Sequence, residues 1–152
     1  MTELFDRNMF NRLYFEWFQA VYEKDPQLAI ELDIHVIPRL GKKMAQKIKD
    51  NLPGDKLTID YLFEALKLSH WFQEDVKLVQ KKNDYMVLQT EGCGFQTNWI
   101  KKFNEVLYCP ASHERFLEEF CKEINPNSKI ENLVGPKENP KDNIYCAWKI
   151  SI

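Results

Sequence analysis

Residues 76–90 read VKLVQKKNDYMVLQT, and this stretch indicates the fold class of the chain. Its two ends alternate with the period of two that is typical of half-buried β-strands, and the polar residues 81–84 between them favour a turn, so the stretch predicts a β-hairpin. Upstream of about residue 73, apolar residues instead recur every three or four positions, as they do along one face of a helix. This change of period predicts an α+β protein in which N-terminal helices precede an antiparallel ββαββ unit.

The helical half begins with a broad apolar stripe and continues with a clear helix start. Asp25-Pro26 is typical of an N-cap residue followed by proline at the first helical position. We expect Pro38 to interrupt this second helix, with Gly41 at its end or in a kink. A third helix is predicted over residues 58–71. The apolar stripe of the first helix consists of Phe10, Leu13, Tyr14, Trp17, Phe18 and Val21.

After the hairpin, the pattern alternates between the helical period and the strand period. The whole chain, with 152 residues and a mass of 18.1 kDa, fits one domain. We therefore predict a single domain over residues 1–152, with a helical part (1–72) and a sheet part (73–152) that carries all the cysteines. Within the sheet part, helices are predicted over residues 96–106 and 111–124, and strands over residues 128–134 and 144–152.

Composition and charge exclude several classes of protein. The chain has 21 Lys and Arg against 23 Asp and Glu, a formal net charge of -2, which disfavours general binding to a nucleic-acid backbone. Its five glycines are scattered, so no glycine-rich phosphate loop is present. The N-terminus lacks the basic and apolar regions of a secretory signal, and no apolar run is long enough to span a membrane. The sequence therefore predicts a cytoplasmic protein without nucleic-acid or membrane partners.

The four cysteines are the feature most suggestive of chemistry. In a reducing compartment, free thiols, a metal site or a reactive thiol are better interpretations than disulfides. Cys93 follows a predicted strand, Cys109 precedes a predicted helix, and Cys146 lies near the start of the last strand. Because strand ends and helix starts meet at the edge of a sheet, we expect these three sulfurs to converge. Cys121 falls inside an amphipathic helix, where a buried structural role is favoured.

Cys109 has a favourable electrostatic position. Pro110 suits the first turn of a helix, which places the Cys109 sulfur near free backbone N–H groups and the positive end of the helix dipole. That setting lowers the pKa of a thiol. His113 follows four residues later and shares a helix face with Cys109. Cys109 and His113 are therefore the candidate catalytic nucleophile and base.

Three interpretations of the cysteines remain open. The first is structural, because cysteine is often buried as a small apolar side chain. The second is a zinc or iron–sulfur site in which Cys93, Cys109 and Cys146 are joined by His113 as the fourth ligand. The third is a nucleophilic thiolate at Cys109 that attacks an electrophilic carbon.

The C-terminal half carries a recognisable pattern of cysteines, aromatic residues and prolines. It consists of Cys93, fifteen intervening residues, Cys109, Phe116, Ile124-Asn125-Pro126, Pro140 and Tyr145-Cys146-Ala147-Trp148. This pattern, over residues 85–152, resembles an uncharacterised prokaryotic family of small cytosolic proteins. That family is itself similar to the L-2-amino-thiazoline-4-carboxylic acid hydrolase family, and the strand order is also similar to 4-vinyl-reductase-type domains. The resemblance implies a ligand pocket between helices and sheet, cysteines that act together, and hydrolysis of a cyclic C–N bond in a thiazoline-like or amide substrate.

Two functional hypotheses follow, with a third as background. The leading one is a metal-binding or thiolate-dependent domain, in which Cys109 or a metal-activated water attacks a small molecule. The rival is a non-enzymatic domain that senses a small ligand held between the aromatic helices and the sheet. The third is a homo-oligomeric scaffold with buried thiols. His35 and His70 lie on separate predicted helices and are interpreted as surface or partly buried residues.

Overall fold

The computed structural model describes residues 2–72, 75–107, 110–135 and 144–152. It confirms the α+β prediction: helices come first, a hairpin follows, and two helices separate that hairpin from the last two strands. Among the described residues, no helix is long and apolar enough to cross a bilayer. The elements are α1 (Thr2–Tyr22), α2 (Pro26–Asn51), α3 (Ile59–Lys67), β1 (Val76–Lys81), β2 (Tyr85–Glu91), α4 (Gly94–Phe103), α5 (Pro110–Ile124), β3 (Lys129–Val134) and β4 (Ile144–Ser151).

The four strands form one antiparallel sheet in the order β1-β2-β4-β3. The two central strands, β2 and β4, are joined with Thr90 opposite Cys146 and Leu88 opposite Trp148. Along β2 every second residue is buried, which is the alternation expected of a strand with one face against the core. Helices α3 and α5 pack against the sheet, α2 packs on α5, and all three share one apolar cluster with the buried face of the sheet.

Helix α2 corrects one prediction. It runs unbroken through Pro38 and Gly41, so the expected interruption is wrong. Proline inside a helix removes one hydrogen bond and crowds the preceding turn, at a cost of about 3 kcal/mol. Burial offsets this cost, because α2 places a row of residues at i+4 spacing against the rest of the protein. That row is Ala29, Asp33, Ile37, Gly41 and Ala45.

The ends of the helices follow local chemistry that the sequence displays. Asp25 accepts a hydrogen bond from the Leu28 amide and caps α2, as predicted. Thr58 caps α3 in the same way, but α3 ends at Lys67 rather than at residue 71. The chain turns there because the Leu68 and Ser69 amides bond back three residues, and the Ser69 hydroxyl donates to the Leu66 carbonyl.

A second, smaller apolar cluster joins α1 to α4. Trp99 is fully buried at its centre, and its ring lies 4.3 to 5.5 Å, centroid to centroid, from the rings of Phe18, Tyr22 and Phe103. These contacts are offset and edge-on arrangements, which aromatic pairs prefer. Helix α4 is therefore held against the first helix by aromatic packing.

Candidate functional site

A cavity of about 150 Å³ lies where α1, α4 and α5 meet the central strands. Well-packed interiors contain few voids larger than a water molecule, so a cavity of this size is a candidate binding site. Its wall combines aromatic side chains with thiols, imidazoles, the carboxyl group of Asp75 and a few other polar side chains. The lining residues used below are Tyr14, His70, Asp75, Thr90, Cys93, Phe95, Gln96, His113, Phe116, Cys146 and Trp148.

Two of the three cysteines predicted to converge line this cavity. Cys146 lies on β4 directly opposite Thr90 of β2. Cys93 lies three residues after Thr90 and occupies the N-cap position of α4. It follows the end of β2 and the turn residue Gly92, whose φ is positive. Sheet register and a glycine turn thus bring the two sulfurs to the same end of the sheet. Cys109 lies outside the described residues.

Burial keeps both thiols protonated near neutral pH. Desolvation raises the pKa of Cys93 to about 11, although the backbone amides of Gln96 and Phe95 at the start of α4 act in the opposite direction. Desolvation also raises the pKa of Cys146, although hydrogen bonds from the Thr90 and Trp148 side chains lower it by favouring the thiolate. The two thiols in the cavity are therefore neutral at physiological pH and are not ionised to thiolates.

We expect Cys93 to alkylate slowly at neutral pH. A pKa near 11 in place of 9.0 reduces the thiolate fraction about a hundredfold, and only the thiolate attacks iodoacetamide. Peptide mass mapping should show the Cys93 rate about a hundredfold below that of the same residue in urea. The rate should rise about tenfold per pH unit up to pH ~10. A rate that levels off below pH ~9 would contradict this assignment.

His113 contributes a neutral imidazole to the same cavity. It lies in the first turns of α5, whose amphipathic pattern directs Phe116, Leu117 and Phe120 into the core. Desolvation lowers the pKa of His113 to about 4, so the ring is uncharged at physiological pH. A neutral imidazole is the form that ligates metals, but a pKa this low makes it a weak general base.

Three of the four predicted metal ligands lie among the described residues, and Cys109 does not. Within the described ranges, no three His, Cys, Asp or Glu side chains are arranged to hold one metal ion. The predicted ligand set combines Cys93, His113 and Cys146, which share the cavity, with Cys109, which lies outside those ranges. The zinc or iron–sulfur site stays a prediction, as do the catalytic roles of Cys109 and His113.

Cys121 lies apart from this group. It is fully buried on the core side of α5 and does not line the cavity. Burial raises the pKa of its thiol, so Cys121 packs as a small apolar side chain. This is the structural role that the helical pattern around it predicted.

Asp33 is a buried carboxyl group beside the cavity that sequence reasoning missed. The Tyr14 hydroxyl donates to Asp33 Oδ1, and the Ser112 side chain also hydrogen-bonds this carboxyl group. Desolvation outweighs these bonds and raises the pKa of Asp33. The three residues join α1, α2 and α5 and fix the Tyr14 ring in the cavity wall. A signal was present, because Asp33 occupies one position in the otherwise apolar row of α2.

His70 lines the cavity, although the sequence did not indicate that position. Its ring lies edge-on to Phe10 and Phe116, at centroid distances of 4.8 and 4.9 Å. Its Nδ1 lies 3.0 Å from Met44 Sδ. The partly buried position agrees with the prediction, but the segment after α3 brings the ring into the cavity wall. His35, by contrast, is exposed.

Gln96 and Thr97 anchor the start of α4 beside the cavity. The Gln96 side chain is buried and donates to the Leu107 carbonyl while accepting a hydrogen bond from the Leu107 amide. The Thr97 hydroxyl donates to the Cys93 carbonyl and lies 3.3 Å from the Tyr145 hydroxyl of β4. Both contacts hold the N-terminus of α4, and with it Cys93, in a fixed position.

Comparison with known proteins gives a family and no activity. A family model described as a family of unknown function (DUF6125) matches residues 10–152. No curated protein and no solved structure matches the chain. The resemblance to the thiazoline-carboxylic acid hydrolase family therefore remains a prediction.

Proposed function

The chain belongs to the DUF6125 family, whose function is unknown, and we propose that it binds a compact, neutral small molecule in the cavity between its helices and its sheet. The observation that carries this proposal is the cavity itself, a partly open pocket of about 150 Å³ lined by both aromatic rings and hydrogen-bonding groups. A pocket of this composition can surround a small ring on several sides and hydrogen-bond it.

The size of the cavity limits the ligand. An apolar cavity of about 150 Å³ is large enough for benzene, and one water molecule takes about 30 Å³ of liquid volume. The proposed ligand is therefore a single five- or six-membered ring with few substituents. A thiazoline-like ring, the substrate class implied by the sequence resemblance, falls within this limit.

The chemistry of the wall supports a neutral ligand over an anionic one, since the Asp75 carboxyl group also lines the cavity. Phe95, Phe116 and Trp148 offer aromatic surface, against which an apolar ring gains free energy by burial. The thiols of Cys93 and Cys146 are protonated and the His113 imidazole is neutral, so they act as weak hydrogen-bonding partners. Such groups orient a heterocyclic nitrogen or sulfur without needing a charge on it.

Titration calorimetry with thiazoline, imidazole and benzene tests this proposal. We expect at least one of these rings to bind, and Cys146→Ala to weaken its binding about tenfold, which is the loss of one contact of about 1.4 kcal/mol. Cys121→Ala is the matched control, because it removes a buried thiol that does not line the cavity. The proposal fails if none of the rings binds, or if the two variants weaken binding equally.

A thiolate- or metal-dependent hydrolase is the second candidate function. What favours it is that two thiols and a neutral imidazole, from three separate elements, share one cavity wall. In this proposal Cys109 Sγ would bond to the ring carbon of a cyclic C–N bond while that bond breaks and its nitrogen gains the thiol proton, and water would then hydrolyse the S–C bond and restore the thiol. In the metal form, Cys93, Cys109, His113 and Cys146 would hold a zinc or iron ion, which would supply an activated water as the nucleophile. Stoichiometric zinc or iron in anaerobically purified protein would support the metal form. Hydrolysis of 2-amino-thiazoline-4-carboxylate that is lost in Cys109→Ser would support the thiolate form.

A further inference from the structure

One side of the α1–α2 helix pair carries large apolar residues that the protein itself leaves exposed. Leu13 and Trp17 on α1 are 70% and 40% exposed, and Leu28 and Val36 on α2 are 44% and 47% exposed. Leu32 lies between the last two at the same i+4 spacing and is half-buried. We call this surface, formed by Leu13, Trp17, Leu28, Leu32 and Val36, the outer face.

The geometry of the pair places these residues on one surface. Two contacts show that the helices are antiparallel. Tyr14 of α1 bonds Asp33 of α2. One turn further along α1, Phe18 shares a cluster with Ala29, which lies one turn before Asp33 on α2. In an antiparallel pair, the residues that precede the contact positions lie on the same side of both helices. Leu13 and Trp17 each come directly before a contact position of α1. On α2, Leu28 and Leu32 come directly before Ala29 and Asp33, and Val36 comes directly before Ile37, the next residue of the same row.

The opposite side of the pair is already covered by the rest of the protein. Phe15 of α1 packs edge-on against Phe95 of α4, with ring centroids 4.9 Å apart. On α2, the contact row itself also faces α5, where Gly41 lies directly against Phe116. The outer face therefore points away from the remaining helices and the sheet, and burying it requires a second molecule.

We propose that a second copy of this chain covers the outer face, so that two α1–α2 pairs form a four-helix bundle across a two-fold axis. Helices of 21 and 26 residues are about 30 and 40 Å long, and a helix pair is about 20 Å wide. The outer face spans residues 13–17 of α1 and 28–36 of α2, about 13 Å along the helices, so its apolar centre covers roughly 270 Å². The flanking polar residues of both helices extend the contact toward the ~800 Å² per partner of a standard stable interface.

The charges of α2 favour a copy of the same chain as the partner. The exposed acidic residues Asp25, at its N-cap, and Glu31 lie at its N-terminal end, and the exposed basic residues Arg39, Lys42 and Lys43 lie in its C-terminal half. A two-fold axis perpendicular to the helices lays α2 antiparallel to its copy. Each acidic half then lies beside a basic half, and this attraction disfavours the parallel arrangement. Because salt screens the attraction, the dimer should weaken as the salt concentration rises.

Sedimentation equilibrium of the full chain tests this inference. We expect the wild type to be a dimer, and Leu13→Glu or Val36→Glu to raise its dissociation constant at least about a hundredfold, because either change buries an unpaired charge at the interface. Leu57→Glu is the control, since Leu57 is 64% exposed but lies outside the outer face. A monomeric wild type would overturn the inference, as would a dimer that both outer-face variants leave intact.

The orientation of the pair has its own test. Glu31→Lys and Arg39→Glu should each weaken the dimer about tenfold, and the double variant should recover most of that loss because opposite charges face each other again. Failure of the double variant to recover, in a protein that does dimerise through the outer face, would overturn the antiparallel arrangement. Unchanged far-ultraviolet circular dichroism in all variants confirms that folding is retained.

Discussion

Replacing Trp99 by alanine is expected to lower the free energy of unfolding by about 3–5 kcal/mol, as for other fully buried aromatic residues. Trp99 is completely buried and contacts Phe18, Tyr22 and Phe103 in the cluster that holds α4 against α1. Removing the indole leaves a large cavity between two helices. Urea unfolding followed by circular dichroism measures the change.

Trp99→Phe is the control that separates packing from hydrogen bonding. Among the described residues, the Trp99 indole Nε1 is buried without a hydrogen-bond partner. Phenylalanine removes that unsatisfied donor and keeps most of the aromatic contact, so we expect it to cost less than half as much as alanine. If the alanine variant lost less than about 1 kcal/mol, the cluster would not be packed as described.

Replacing Gly41 by valine is expected to lower the free energy of unfolding by about 3 kcal/mol. A side chain at Gly41 would place its Cβ 2.9 Å from the Phe116 carbonyl oxygen and 2.9 Å from Phe116 Cδ2. A backbone oxygen cannot rotate away, so α2 and α5 must separate, and overpacking of this kind is destabilising. The steric penalty exceeds the roughly 1 kcal/mol that a helix gains when glycine is replaced by a better helix former.

Gly94→Ala is the matched control for Gly41→Val. A Cβ at Gly94 would meet no heavy atom within 4 Å, although Gly94 also lies in a helix. We therefore expect a change of less than about 1 kcal/mol, in the stabilising direction. Equal losses in the two variants, measured by urea unfolding, would show that close approach of α2 and α5 does not explain the effect at Gly41.

The order of the elements could be predicted from the sequence because each is marked by local chemistry. The hairpin over residues 76–90 follows from its period, and the start of α2 follows from Asp25-Pro26. The unbroken course of α2 through Pro38 could not be predicted in this way. The free energy that tolerates the proline comes from burial against α5, which is distant in sequence.

The candidate site was predictable only as far as strand ends and helix starts define it. Cys93 and Cys146 could be placed at one end of the sheet because the hairpin and the last strand fix that end. His70 lines the cavity, and Asp33 bonds the lining residue Tyr14, through the packing of helices, which depends on angles and offsets that periodicity does not encode. The low pKa of His113 likewise follows from tertiary burial rather than from its neighbours in sequence.

The position of the cavity over β2 and β4 determines how a molecule enters it. Both strands are bonded on each side, so the floor that carries Thr90, Cys146 and Trp148 cannot part without breaking a ladder of backbone hydrogen bonds. The roof includes α1, whose backbone, among the described residues, bonds outside the helix only in the short turn into α2. The cavity is already partly open to solvent, and further widening is easiest where side-chain contacts can separate without loss of backbone bonds. We therefore expect any widening that a ligand requires to come from displacement of α1 rather than of either strand.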